Sequence, residues 1–151
     1  MISILRNKKL TVSAAESASG GYLSYLLTKI PGSSKVFKGS IVVYSLEAKI
    51  KFFKIPLPLL KKTEGVSGEI AGLLAIGVRK LFKTDIGLSL VGFAGPETQK
   101  GKKLGIVFFA VSDKKCTTVK KVIIKGGRDY VRKYASLMTL ELLHKRLCVY
   151  S

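Results

Sequence analysis

The sequence predicts an α/β protein, a three-layer α/β/α sandwich built on a mostly parallel sheet with one antiparallel strand. Three observations predict it. Strand-like and helix-like segments alternate from the start of the chain. Two strand-like segments then follow one another late in it. The early strands each end in a short, polar turn, two of the three bearing glycine. At 151 residues, the chain is long enough for one domain with its own core, expected over residues 1–151.

The elements follow in order. Leu10–Ala15, "LTVSAA", reads as a buried strand. Gly20–Lys29 reads as a helix, because Tyr22, Leu23, Leu26, Leu27 and Ile30 keep helical spacing. Lys38–Tyr44 reads as a second strand and Glu47–Phe53 as a short helix. "KIPLPLL" then breaks the chain, since proline removes a donor and restrains the residue before it. Ser67 reads as an N-cap, with Glu69 favourable to the helix dipole. Beyond it, Ile70, Leu73, Leu74, Gly77, Val78 and Leu81 lie on one helical face. "DIGLSLVGFAGP" is a buried strand ending in a glycine turn. "LGIVFFAVS" and "TTVKKVIIK" read as a hairpin across "DKKC". Arg128–Leu147 closes the chain as a helix, with Val131, Tyr134, Ala135, Met138 and Leu142 on one face.

Composition removes several function classes. No apolar run reaches the roughly 18 residues a membrane helix needs, and Glu16 interrupts the one stretch that could serve as a signal core; a cytoplasmic protein is expected. Cys116 and Cys148 form no CxxC pair and are expected as reduced packing residues. The single histidine, His144, sits late in a helix without the partners a zinc site or a Ser-His-Asp site requires, so no metal or cofactor is expected. The outlier is a net charge of +18, carried by 27 basic residues of which 22 are lysine. Lysines cluster at Lys49/Lys51/Lys54, at "KGKK" (100–103) and in "DKKCTTVKKVIIK" (113–125). Nucleic-acid binding is one reading. The spread of lysines, the scarcity of arginine and the placement of aromatics on core-facing positions favour solvated faces instead.

Ligands of open α/β sheets sit outside the carboxyl ends of the strands. Three turns lie there: "ESASGG" (16–21), "YSLEAK" (44–49) and "GFAGPE" (92–97), with "IPGSSKVF" (30–37) as a further loop of small residues. In "ESASGG" the helix start at Gly20 and Gly21 offers free amides to an anion. Ser17 or Ser19 can cap the helix or act as a nucleophile. Glu16, directly after a buried strand, needs a partner. With histidine unavailable, the base for a serine nucleophile is a lysine made neutral by burial, and Lys49, at the same sheet edge, is the candidate.

These motifs resemble those of the CinA C-terminal domain family, which includes nicotinamide-nucleotide amidases. The family pattern A-E-S-C-T-G-G is matched by "AESASGG" (15–21), P-G-S-S-x-x-F-x-G by "PGSSKVFKG" (31–39), and V-x-Y-S-N-E-A-K by "VVYSLEAK" (42–49). "GVSGE" (65–69), "GFAGP" (92–96), "LGIVFFAV" (104–111) and "GGRDYVR" (126–132) follow in the family's order over about residues 10–147. The resemblance implies a mixed five-stranded sheet and metal-free hydrolysis of nicotinamide mononucleotide to nicotinic acid mononucleotide and ammonia. It implies Ser17 as nucleophile, Lys49 as base, Tyr44 as an assisting group, and Glu16 orienting neighbours or touching substrate. It implies substrate contacts from Ser19, Gly20 and Gly21, from Gly32, Ser33 and Ser34, from Gly92, Ala94 and Gly95, and from Arg128. Amides at Ser33/Ser34 or at Gly20/Gly21 are expected to hold the oxyanion or the phosphate. The partner implied is a small nucleotide, and a homo-oligomer is compatible with the sequence.

The chain departs from the pattern. Leu46 replaces asparagine, Val91 replaces threonine or serine, Ala18 and Ser19 replace cysteine and threonine, and Gly127 replaces aspartate. The loop 97–103 lacks the usual glycines and proline, and the N-terminal helix is expected to be almost absent. A stand-alone form or remnant without the family's other domain is expected. Leu46 and Val91 each remove a hydrogen-bonding side chain expected beside the site. Three readings follow: an amidase, a non-catalytic nucleotide-binding module, and a polyanion-associated protein.

Overall fold

A computed structural model describes residues 1–95 and 104–149. The elements are α1 (Ile2–Asn7), β1 (Val12–Glu16), α2 (Tyr22–Thr28), a 3-10 turn (Ser33–Lys35), β2 (Phe37–Val42), α3 (Leu46–Phe53), α4 (Leu57–Thr63), α5 (Gly68–Leu81), β3 (Ile86–Gly92), β4 (Ile106–Ser112), β5 (Thr117–Ile123) and α6 (Arg128–Val149). The strand order is β2-β1-β3-β4-β5. β1 pairs parallel with both β2 and β3, while β4 pairs antiparallel with β3 and with β5. Four strands therefore run one way and β4 the other, as the alternation and the late hairpin predict.

Period-two alternation divides the core. Val12 and Ala14 of β1, with Ile86 and Leu88 of β3, pack under α1, α2 and α6. Ala15 and Val91 face α5 with Val43, Ile70, Leu74 and Val78. A third cluster joins Leu90, Val107 and Phe109 to Val131 and Ala135 of α6. β3 and α5 approach so closely that a Cβ on Gly87 would lie 2.0 Å from the Ala75 carbonyl oxygen, which excludes any side chain there. Ser67 caps α5 as the sequence indicates, its hydroxyl accepting from the Ile70 amide at 3.1 Å.

The structure corrects several expectations. "KIPLPLL" contains the start of α4. Pro56 is its N-cap and Pro58 stands in its first turn, where a missing N–H costs nothing, while Leu60 is fully buried. A six-residue α1 precedes β1 and buries Ile2 and Leu5. The buried face of α5 is rotated from the expected one. Ala71, Gly72 and Ala75 are inside, and Leu73 and Leu81 are exposed. Tyr134 lies on the exposed face of α6 rather than the core-facing one, stacked on Tyr130 at 5.6 Å. Cys116 and Cys148 are exposed and not joined in a disulfide, so they are not packing residues. Aromatics are less internal than expected: Tyr25, Tyr44, Phe52, Tyr130 and Tyr134 are all exposed. Residues 97–103, with the "KGKK" cluster, lie outside the described residues. No helix among the described residues is long and apolar enough to cross a membrane.

Candidate active site

The turn after β1 is organised by Glu16. It ends the strand, is fully buried, and faces the start of α2. Its Oε2 accepts from the Ser19 hydroxyl at 2.7 Å, the Gly21 amide at 3.0 Å and the Leu23 amide at 3.1 Å. Its Oε1 accepts from the Ser24 amide at 2.9 Å and from the Ser24 hydroxyl. A carboxylate thus occupies the positive end of α2 and satisfies amides the helix leaves unpaired. Gly20 and Gly21, both at positive φ, turn the chain back into the helix. Arg132 of α6 clamps the same turn, donating to the Ser19 carbonyl from Nε at 3.2 Å and Nη2 at 2.9 Å.

This arrangement corrects the reading of the helix start as an anion site, because the Gly21 amide serves Glu16 and the Gly20 amide serves the Ser17 carbonyl. Ser19 is fully buried and donates to Glu16 rather than capping the helix or facing a ligand. Glu16→Gln is expected to destabilise the fold by about 3 kcal/mol. An amide in place of the carboxylate sets an NH2 group against N–H or O–H donors on one side or the other. Urea unfolding measures this.

Ser17 follows Glu16, its amide still on the sheet ladder to the Leu90 carbonyl at 2.9 Å. Lys49 comes from α3, which Ser45 caps by accepting from the Ala48 amide at 3.1 Å. One turn into that helix, Lys49 points back towards the strand ends, the direction a helical side chain takes. Its Nζ lies 3.1 Å from Ser17 Oγ, 2.9 Å from the Val43 carbonyl oxygen and 3.4 Å from the Tyr44 carbonyl oxygen. Lys49 is 2% exposed. Burial lowers its pKa from 10.5 to about 8, with the nearby Glu47 carboxylate opposing the shift. As a neutral amine, Lys49 can donate both N–H bonds to the two carbonyls and turn its lone pair on the Ser17 hydroxyl. Gly65, at φ +76, lets the α4–α5 connection close over this pair. A Cβ there would meet Leu46 at 2.6 Å and stand 3.6 Å from Lys49 Nζ.

Beside the pair opens a cavity of about 490 Å³, lined by Ser17, Ala18, Tyr44, Ser45, Leu46, Lys49, Glu64, Val66, Gly92, Phe93, Ala94 and Arg128. Arg128 enters from the first turn of α6. It donates to the Tyr44 hydroxyl at 2.7 Å and to the Gly95 carbonyl, spanning the turns after β2 and β3. The Ala18 amide, next to Ser17, makes no hydrogen bond among the described residues.

Of the expected residues, Ser17, Lys49, Tyr44, Gly92, Ala94 and Arg128 meet at this cavity, and Gly95 holds Arg128. Gly32, Ser33 and Ser34 do not join them. They precede β2, at the edge of the sheet opposite Ser17, and Gly32 packs against Arg6. Val91 is fully buried against α5 and lines no part of the cavity, so its replacement does not strip the site. Leu46 does line it. Glu64 and Val66 line it as well, from the connection between α4 and α5, where no turn at the carboxyl end of a strand marks them in the sequence.

The CinA C-terminal domain model matches residues 1–147. A CinA-like protein of Dictyoglomus turgidum is 38% identical over 148 residues, 97% of this chain and 36% of that protein. A CinA-like protein of Geotalea uraniireducens is 38% identical over 146 residues, 96% of this chain and 35% of that protein. The chain thus spans about a third of the length of these relatives. Among solved structures, a competence or damage-inducible protein from Enterobacter asburiae superposes with a TM-score of 0.92 at 28% identity, over 96% of this chain and 92% of that one. The competence damage-inducible protein A of Klebsiella pneumoniae gives a TM-score of 0.94 at 25% identity, over 99% and 93%.

Proposed function

The chain belongs to the CinA C-terminal domain family, and from that premise we propose that it hydrolyses the carboxamide of nicotinamide mononucleotide, releasing ammonia and nicotinic acid mononucleotide. The observation that carries this reading is the buried Ser17–Lys49 contact of 3.1 Å at the wall of a mononucleotide-sized cavity.

The reaction runs in two halves. Ser17 Oγ attacks the amide carbon while its proton passes to neutral Lys49. The Ala18 amide, which has no partner among the described residues, donates to the oxyanion that forms. The C–N bond breaks, Lys49 returns the proton to the leaving nitrogen, and ammonia departs from an acyl ester on Ser17. Water then attacks that ester, its proton passing to Lys49 and on to Ser17 Oγ as the ester bond breaks. Arg128, with its planar fork, suits the substrate phosphate, and the apolar wall of Leu46, Val66 and Phe93 suits the pyridine ring.

Ammonia release from nicotinamide mononucleotide by the purified protein tests the proposal. A folded protein that binds the nucleotide without turning it over overturns it in favour of the binding module. Leu46 gives that second reading its specific support, since an apolar side chain lines the cavity where the family pattern has an amide. Leu46→Asn is expected to raise kcat/KM about tenfold, the gain of one hydrogen bond near 1.4 kcal/mol. Steady-state kinetics on the two proteins measures it.

A further inference from the structure

Basic residues line one edge of the sheet. β1, β2, β3 and β5 point the same way, so the connections leading into them converge on the edge opposite Ser17. The β4–β5 turn, 113–116, joins that edge because β4 runs antiparallel. In the spatial order of the strands, Lys35 precedes β2, Arg6 and Lys9 precede β1, Lys83 precedes β3, and Lys114 and Lys115 form the turn before β5. Neighbouring strands lie about 4.8 Å apart, so this row is about 20 Å long. Basic residues scattered through the sequence become a line because the topology returns the chain to this edge each time.

Acids do not balance the line. The connections 8–11, 29–36, 82–85 and 113–116 contain two, Asp85 and Asp113. The Asp85 carboxylate is engaged by the Thr11 amide at 2.9 Å and hydroxyl at 2.8 Å. Asp113 accepts from the amides of Lys115 and Cys116 and pairs with Arg146 at 3.1 Å. By contrast, Arg6, Lys9 and Lys35 line one cavity of about 290 Å³, and their side chains make no hydrogen bond or ion pair among the described residues.

We propose that this edge docks the phosphate backbone of double-stranded nucleic acid, with the Arg6–Lys9–Lys35 cavity seating one phosphate. A row of this length matches an extended polyanion rather than a single phosphate, and duplex DNA carries a charge every 1.7 Å or so. A duplex fits better than a single strand, which needs aromatic platforms for its bases. The one aromatic in these connections, Phe82, packs into the core.

Fluorescence anisotropy of a labelled 20-base-pair duplex, titrated with the full chain between 50 and 200 mM salt, tests this. The triple variant Arg6→Gln/Lys9→Gln/Lys35→Gln is compared with Lys51→Gln/Lys61→Gln/Lys62→Gln, which removes equal charge from exposed positions on α3 and α4. The edge variant is expected to bind at least tenfold more weakly. Its log–log salt slope should be shallower by about 0.9, the loss of the one phosphate contact this cavity supplies. The control should stay within threefold of wild type. The single variant Lys35→Gln should bind with an affinity between those of wild type and the triple variant, and unchanged thermal unfolding verifies each fold. Equal losses in both triple variants would reduce the effect to net charge and overturn the proposal. So would binding to phosphatidylserine vesicles without binding to the duplex, or full displacement of the duplex by millimolar inorganic phosphate at constant ionic strength.

Discussion

Ser17→Ala is expected to abolish ammonia release from nicotinamide mononucleotide, lowering kcat by at least about a thousandfold, because among the described residues no other hydroxyl hydrogen-bonds Lys49. Ser45, the other serine that lines the cavity, is committed to capping α3. The variant keeps its fold. The Ser17 side chain contributes one hydrogen bond, to Lys49, and the turn is held by Glu16 and Arg132 through groups the substitution does not touch. Its stability should lie within about 1 kcal/mol of wild type, and its affinity for the nucleotide should be retained. Full activity in the variant would sink the nucleophile assignment. Loss of activity together with loss of cooperative unfolding would not count in its favour, so unfolding is measured on the same sample.

Lys49 has the second large effect, and its signature is in pH. Only the neutral amine can take the Ser17 proton. Burial brings the Lys49 pKa down to about 8, so kcat/KM should rise with pH and level off above that value. At pH 6 the rate should be about a hundredfold below its plateau, since one group must lose one proton. Lys49→Ala should cost about a thousandfold, within the range of a lost general base. Lys49→Arg should be as inactive as alanine, because guanidinium stays charged at every accessible pH. That comparison separates a base from a mere positive charge, which arginine would supply. A pH-independent kcat/KM between 6 and 9 would exclude Lys49 as the base.

Both substitutions act on a pair that is 32 residues apart in sequence and joined by topology. β1 and β2 are parallel neighbours in register from Ser13 to Glu16, so the turns that follow them open side by side. The strand–turn–helix pattern at "ESASGG" and "YSLEAK" was enough to put a hydroxyl and an amine at one sheet edge. It was not enough to assign Glu16. The same residue type after a buried strand fits a ligand contact or a helix cap, and the choice depends on where the carboxylate points. It points into α2, which removes Gly20, Gly21 and Ser19 from the set of ligand groups. The "PGSS" loop was misplaced for a related reason. Small residues and a glycine turn read alike at either end of a strand, and this loop leads into β2 rather than out of it.

Local pattern alone determined the order of the strands and of every helix but α1 and α4, the direction of the strands, the hairpin and the N-cap at Ser67, because each rests on neighbours within a few residues. It also determined that Ser17 and Lys49 lie at carboxyl ends of parallel strands. Tertiary packing decided what the backbone path leaves open. It rotated the buried face of α5 towards Ala71 and Ala75, so that β3 could approach through Gly87. It buried Lys49 until its amine became a weak base, and it closed Gly65 over the pair. It also gathered lysines from distant connections onto one sheet edge. Periodicity is a property of one element, whereas burial, charge density and the direction of a side chain are set by the other elements that surround it.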